Sequence, residues 1–263
     1  MTPRQGSGTD LQHATQRHEA ILRRLRGDGQ LRALEVARDL GVTHETVRKD
    51  LLHLEGRGLL RRVHGGALPV EPMSFEPAVT ARTSEAAQKR RIAVAAATLV
   101  PTEGAILVDA GSTTAALVEQ LPPTATLTVI TNALPIALAL LGRPRITVHT
   151  LGGRVRATTL AEVDHWALRS LSEVRVDVAF LGTNALSVEH GLSTPDASEA
   201  AVKAAMLRTA ARTVLLADHT KLGRVSVFTY AEVGAIDVLV TDTGTTPKQA
   251  REIERLGVEV LRV

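Results

Sequence analysis

The chain has 263 residues, enough for two ordinary domains, and is 44% hydrophobic but only 2% aromatic, so its cores must be built from Ala, Val and Leu. It has no cysteine, which excludes a disulfide framework, a thiolate zinc site and a cysteine nucleophile, and the scarcity of aromatic residues argues against binding single-stranded nucleic acid by base stacking. The net charge of +3 is uneven: residues 1–70 hold 12 Lys/Arg against 8 Asp/Glu and five of the nine histidines, while the rest holds 19 against 20, so a compact basic head suited to DNA is expected at the N-terminal end.

Residues 1–14 are polar and contain Gly and Ser, which predicts a disordered tail without the apolar stretch of a signal peptide. The apolar runs are too short to cross a bilayer, so a cytoplasmic chain with no membrane partner is expected. From Thr15 to Arg26, Ile21, Leu22 and Leu25 with His18 mark a first helix, which Gly27-Asp28-Gly29 ends. Two short amphipathic helices follow between Leu31 and Leu54. In the first, Leu34, Ala37 and Leu40 recur at three-residue steps beside Val36; in the second, Val47, Leu51 and Leu54 recur at i, i+4 and i+7. Gly41, in the turn Leu40-Gly41-Val42-Thr43, suits the positive φ that stops a helix, and Thr43 suits the N-cap of the next. The capping box is incomplete, because Thr46 stands where Glu or Gln would close it. Opposite the apolar stripe, the second helix carries His44, Glu45, Arg48 and Lys49 around its first two turns. A helix-turn-helix presses the start of its second helix against base edges, so Thr43, His44, Thr46, Arg48 and Lys49 are the candidate DNA contacts.

Arg57 to Ala67 reads as a short hairpin with a glycine turn. Its Arg61, Arg62 and His64 suit phosphate contacts, which fix register on a duplex. The helix-turn-helix at 31–50 and this hairpin together predict a winged helix over residues 15–68. The run GVTHETVRKDLLHLEGRGLLRRVHGGA resembles the N-terminal domain of the DeoR family of bacterial transcriptional regulators. Its ending, Arg62-Val63-His64-Gly65-Gly66-Ala67, is the most specific part, since winged helices in general do not share it. The resemblance extends from about Gln16 through the rest of the chain, and it implies a repressor whose C-terminal domain senses a phosphorylated sugar.

Pro69, Pro72 and Pro77 break the pattern between Leu68 and Ser84, so residues 69–84 read as an interdomain linker. A helix resumes over Glu85–Leu99. Short apolar runs then alternate with helices: Ala105–Val108, Leu127–Ile130, Ile146–Val148, Val176–Leu181, Val214–Ala217 and Ile236–Val240. This predicts an α/β domain over 85–263 whose mainly parallel sheet is covered on both faces. Polar residues repeatedly follow the strands, where open α/β sheets bind ligands. Asp109, Thr131, Asn132, Gly152, Gly153, Gly182, Thr183, Asn184 and Asp218 therefore line one candidate crevice. The loop Asp109-Ala110-Gly111-Ser112-Thr113-Thr114 opens a helix, so its amides and hydroxyls suit a phosphate. It is neither a Walker A loop nor a GxGxxG fingerprint, which speaks against nucleoside triphosphates and dinucleotides. The blander reading of such loops is that Gly, Ser and Thr are ordinary turn and cap residues.

The resemblance adds to this list. In DeoR-type sensor domains the shared loops are those matching Asp109 to Thr114, Thr131-Asn132, Gly152-Gly153, Glu199 to Lys203 and Asp218 to Lys221. It implies a fold similar to ribose-5-phosphate isomerase and glucosamine-6-phosphate deaminase, with Lys221 meeting an anionic group and Asp109, Asn132 and Asp218 meeting sugar hydroxyls. From spacing alone, Glu199 and Lys203 are a surface i, i+4 pair. Many family members carry a glycine in the stretch where this chain reads Glu162-Val163-Asp164-His165-Trp166-Ala167, so an acidic residue there narrows effector choice or merely caps the following helix. That stretch resembles regulators beside fructose-use genes, which points to fructose 1-phosphate. The expected partners are operator DNA, a sugar phosphate and further copies of the chain, as a homodimer or homotetramer. No cofactor, metal or catalytic residue is implied. Two other readings stay open: a sugar-phosphate isomerase or deaminase with a fused head, using Glu199 or Asp109 as base, and a constitutive DNA-packaging protein.

Overall fold

The computed structural model describes residues 8–28, 30–56, 59–63, 65–69 and 73–263. It divides into two compact units, Met1–Pro72 and Met73–Val263. The first is built from helices α1 (Gly8–Asp28), α2 (Ala33–Asp39) and α3 (His44–Gly56) and strands β1 (Leu31–Arg32), β2 (Leu60–Val63) and β3 (Gly66–Pro69). The strands form an antiparallel sheet in the order β1-β3-β2, which makes the unit a winged helix-turn-helix. Ile21 and Leu25 of α1, Val36 and Ala37 of α2, and Val47, Leu51 and Leu54 of α3 close one core with Leu60 and Ala67 of the wing. Gly41 takes φ +64° and stops α2. Thr43 Oγ1 accepts from the Thr46 amide at 3.1 Å, giving α3 its cap.

Two expectations are corrected here. Residues 8–14 belong to α1 rather than to a tail, because no Gly or Pro interrupts the sequence from Thr9 to Arg26. Leu34 is 70% exposed; α2 starts straight from β1, so Ala33, Val36 and Ala37 fall on the buried face and Leu34 lies about 100° from Ala33 around the axis.

Two contacts fix the geometry of this unit. Gly66 sits so close to β1 that a Cβ there would fall 1.8 Å from the Leu31 carbonyl oxygen, so the wing's return strand is set by main chain against main chain. Asp50 of α3 is buried and takes both nitrogens of the Arg17 fork, at 2.5 and 2.9 Å, and His18 Nε2 at 2.8 Å. His18 also stacks on His53, with ring centroids 5.1 Å apart.

The second unit holds a seven-stranded, wholly parallel sheet flanked by helices on both faces. Its elements are α4 (Ala86–Ala97), β4 (Glu103–Val108), α5 (Ser112–Glu119), β5 (Thr126–Thr131), α6 (Leu134–Leu140), β6 (Ile146–Thr150), β7 (Arg154–Arg156), β8 (Ala161–Val163), α7 (Asp164–Ser172), β9 (Val176–Gly182), β10 (Ala185–Ser187), β11 (Gly191–Thr194), α8 (Ala197–Leu207), β12 (Ala210–Leu216), β13 (Phe228–Ala231), β14 (Val238–Thr241), α9 (Pro247–Glu254) and β15 (Glu259–Arg262). The sheet order is β15-β14-β12-β9-β4-β5-β6; β7-β8 and β10-β11-β13 form small antiparallel sheets beside it. Alternation inside the apolar runs sorts the core into two layers. Ile106, Val108, Phe180, Val214 and Val240 pack with α4, α5 and α6, whereas Leu107, Ala179, Leu181, Leu215 and Leu239 pack with α7, α8 and α9. The strand order reverses between β4 and β9, and a crevice opens beyond their carboxyl ends. No helix among the described residues is long and apolar enough to cross a membrane.

The stretch expected as linker to residue 84 instead packs, from Met73 onward, on the second unit. Glu76 is buried between Arg82 and Arg156, Ser226 Oγ donates to the Met73 carbonyl at 2.6 Å, and the Val79 amide donates to Thr158 at 2.7 Å. Apart from one 3-10 turn at Val79–Ala81 the segment has no helix or strand, and buried charge pairing holds it as a strap.

Burial works to raise the Asp50 carboxyl, but the Arg17 and His18 contacts outweigh it and hold it below the ordinary carboxylate range. Its stabilising contribution is therefore complete above the unfolded value of about 4 and is lost as pH falls through the lower folded value. Asp50→Asn is expected to cost the first unit about 2 kcal/mol at neutral pH and to flatten its acid unfolding, measured by denaturant melts of both proteins between pH 7 and pH 3.

Candidate functional site

The exposed start of α3 carries Thr43, His44, Arg48 and Lys49, with Thr46 half-buried beside them. Thr43 and Thr46 are joined through their hydroxyls at 2.8 Å and serve the cap. Arg48 is held in a two-pronged pair by Glu45 at 2.7 and 2.8 Å, one turn away on the same face. On the wing, Arg61 is exposed, but Arg62 turns to Glu55 of α3 through both its amide and its Nε, each at 2.8 Å. Arg62 thus ties the wing to the recognition helix. His64 lies outside the described residues.

In the second unit the chemistry starts where β4 and β9 end. Asp109 follows β4 and is 1% exposed; its Oδ2 accepts from the Gly182 amide at 3.1 Å and from Lys203 Nζ. Lys203, brought in by α8, also donates to the Gly182 carbonyl at 2.9 Å and lies 5.9 Å from the centre of the Tyr230 ring. Burial works against the Lys203 charge, yet the facing Asp109 carboxylate holds its pKa above the ordinary value. Burial pushes the Tyr230 phenol up to about 12.

Above this pair is a cavity of about 90 Å³. Gly111, Ser112, Thr113, Thr114, Gly182, Thr183, Asn184, Glu199, Lys203, Asp218 and Lys221 line it, so eleven of the residues expected from sequence are brought together. No side chain caps α5, whose first turn forms one wall; amides in the first turn of a helix have no partner within it. Asp218 caps the short turn His219–Lys221 by accepting from the Thr220 amide at 3.0 Å.

Five expected residues do not line the cavity, among them Gly152, whose amide donates to Glu162 Oε2 at 2.7 Å. Asp109 is engaged beneath the floor by Lys203. Asn132 Oδ1 accepts from the Ala110 amide at 2.9 Å, and Thr131 Oγ1 donates to the Val108 carbonyl at 2.6 Å, so both brace the β4–α5 loop from behind. Gly153, at φ +110°, starts the β7–β8 hairpin, where a Cβ would meet the Val163 carbonyl at 2.6 Å. Nor are Glu199 and Lys203 a surface pair: both are buried and each has other partners. Glu199 Oε1 accepts from Arg156 at 3.1 Å and from the Thr159 hydroxyl. Asp164 lies off the cavity at φ +74°, a conformation that glycine adopts more readily, and pairs with Arg154 at 2.6 Å. His219 turns away from Asp218 to Asp242, at 2.9 Å.

Several cavity residues carried no signal in the sequence reading: Arg82 and Ser84 of the strap, Lys89 of α4, and Thr159. Around the strap they continue into a charged network. Glu76 accepts from Arg82 at 2.7 Å, Arg156 at 2.5 Å and Asn184 Nδ2 at 3.0 Å, and Arg156 also reaches Asp196 at 3.1 Å. The two carboxylates named from sequence as candidate bases, Asp109 and Glu199, are held by cations.

Comparison with known proteins agrees with this division. Residues 17–72 match the family model described as a DeoR-like helix-turn-helix domain, and residues 84–243 match the DeoR C terminal sensor domain. The HTH-type transcriptional regulator GlpR of Haloferax volcanii is 37% identical over 89% of this chain and 92% of its own length. A putative aga operon transcriptional repressor of Escherichia coli O157:H7 is 30% identical over 95% of this chain and 94% of its own. Among solved structures, ribose 5-phosphate isomerase A from Methanocaldococcus jannaschii overlaps 53% of this chain and 55% of its own, at 20% identity and a TM-score of 0.39.

Removing one member of a buried ion pair leaves the other charge unpaired, at a cost of about 3–5 kcal/mol. Lys203→Met is expected to lose stability on that scale, and the double variant with Asp109→Leu to regain part of it, read by chemical denaturation of the second unit's transition. A single variant as stable as the parent would show that the pair does not hold the crevice floor.

Proposed function

The chain belongs to the DeoR family of DNA-binding transcriptional regulators, and from that membership we propose that it represses a sugar-utilisation operon until a phosphorylated sugar occupies the crevice of its second unit. It is a regulator and not an enzyme. The observation that carries the sensing role is the cavity at the strand-order reversal, walled by the uncapped first turn of α5 and lined by lysines. Such a turn favours anions through its free amides and the helix dipole. Serine, threonine and asparagine side chains around the rest of the wall supply donors and acceptors for sugar hydroxyls. Lys221 and Asp218 border the same space. Fructose 1-phosphate is the first candidate effector, from the family resemblance.

On the DNA side, Lys49 and Arg48 of α3 enter the major groove, Arg61 meets phosphate, and Arg62 sets the wing's angle through Glu55. Two heads on paired half-sites raise affinity, so the active species is a cytoplasmic homodimer or homotetramer. The isomerase reading is disfavoured by the engagement of Asp109 and Glu199, since a general base must be placed beside a reacting carbon and free to take its proton.

Fluorescence anisotropy on DNA from upstream of the gene and its neighbours tests this reading, with a panel of sugar phosphates, free sugars and inorganic phosphate. Binding reversed by one phosphorylated sugar alone is expected, with a coupling of about 1–3 kcal/mol, or 5- to 150-fold in operator affinity. Binding indifferent to the whole panel would sink the sensing role. Lys49→Ala is expected to weaken operator binding by about 1–3 kcal/mol if it reads a base; an unchanged preference between operator and scrambled DNA would remove it from the readout.

A further inference from the structure

We propose that Glu45 is a positioning residue of the DNA-reading surface: it holds Arg48 as a fixed fork for one guanine in the operator's major groove. The assignment rests on the DNA-binding reading above and names the base that this part of the head selects. Glu45 accepts from Arg48 Nε at 2.7 Å and from Nη2 at 2.8 Å, so two of the five guanidinium N–H groups are engaged along one side of the fork. The other three lie on Nη1 and on the outer position of Nη2. Two of these run parallel off the end of the side chain, the pattern that meets guanine O6 and N7 together. Among the described residues no other side chain engages Arg48, and both members of the pair are half-exposed, at 52% and 55%. They stand on the face of α3 away from its buried Val47, Leu51 and Leu54.

Helix stability alone does not call for this geometry. Glu45 lies in the first turn of α3, where any negative charge suits the helix dipole. An exposed ion pair also adds little to stability in water. The groove changes the balance. A lone carboxylate brought against DNA is repelled by the phosphates on either side, so an acid on the reading face is unfavourable unless a cation stays with it. Glu45 keeps such a cation. Its hydrogen bond with Arg48 outweighs partial desolvation and, with the charges of Arg48, Lys49 and His44, holds the carboxyl below its ordinary range. Exclusion of water strengthens the pair. A fork already fixed also loses less freedom on meeting a base than a loose side chain does.

The test first selects duplexes from a random pool with the full-length parent. Anisotropy titrations over a salt series then follow the selected half-site with each base pair exchanged in turn, for the parent, Glu45→Ala, Glu45→Gln and Arg48→Ala. The parent is expected to weaken about tenfold or more when one particular G·C pair is exchanged. Arg48→Ala and Glu45→Ala are each expected to cut that preference to about threefold or less, at the same base pair and with the other positions unchanged. Glu45→Gln, which keeps one acceptor oxygen, is expected to fall between. Glu45→Ala that lowers the melt and leaves every base preference intact overturns the proposal, because Glu45 then serves the helix alone. Glu45→Ala that flattens a different base pair from Arg48→Ala also overturns it, because Glu45 then reads a base by itself. Arg48→Ala that weakens all duplexes alike, with a shallower salt dependence, places Arg48 on phosphate; the proposal falls and the DNA-binding reading stands. A parent that selects no sequence overturns both.

Discussion

The buried pair between Asp109 and Lys203 is the contact on which the second unit's geometry turns. Asp109 closes β4, Lys203 comes from α8, and both bond Gly182 at the end of β9, so one ion pair pins three elements where the strand order reverses. That reversal is where neighbouring loops diverge and a crevice opens. Without the pair, α8 would have no polar tie to the β4–β9 seam, and the first turn of α5 would lose the floor beneath it. Its burial also explains why neither charge is available to a ligand: each has already been neutralised by the other.

Beside this fixed floor the walls are more labile. Glu76 gathers two arginines and an asparagine from the strap, β7 and the β9–β10 loop, and Glu199 shares Arg156 with it. Networks of this kind hold a segment in place while leaving alternative pairings close in energy, because one carboxylate can exchange donors without being stripped of them. The unit therefore combines a rigid apolar sheet, sorted into two layers by strand alternation, with a charged rim whose pairings can be rearranged.

The sequence shows the frame more clearly than the rim. The six apolar runs from Ala105 to Val240 are all strands of the sheet, and the Gly41 stop and Thr43 cap delimit α3, because periodicity and caps are local signals. The strap was hidden by its prolines, which look like a linker; its burial depends on Arg156 and Asn184, 80 and 108 positions from Glu76. Lys89 gives no signal of its own in the sequence, because only the folding of distant loops around α4 places it on a cavity. Asn132 and Thr131 illustrate the reverse error. Their position after a strand suggested ligand contact, yet both are used up bracing the loop that does line the site. Leu34 was misplaced because a three-residue spacing fits more than one face of a short helix.

The close approach of Gly66 to the Leu31 carbonyl has a consequence for how regulators of this build diversify. The wing's return strand is positioned by backbone meeting backbone, so beyond the Arg62 tie to Glu55 and the buried Leu60 and Ala67 its placement owes little to the side chains it displays. Outward-facing positions of the wing can then change while the scaffold beneath them stays in register. A lineage acquiring a new operator can alter its surface lettering one substitution at a time, provided that this single glycine is inherited unchanged.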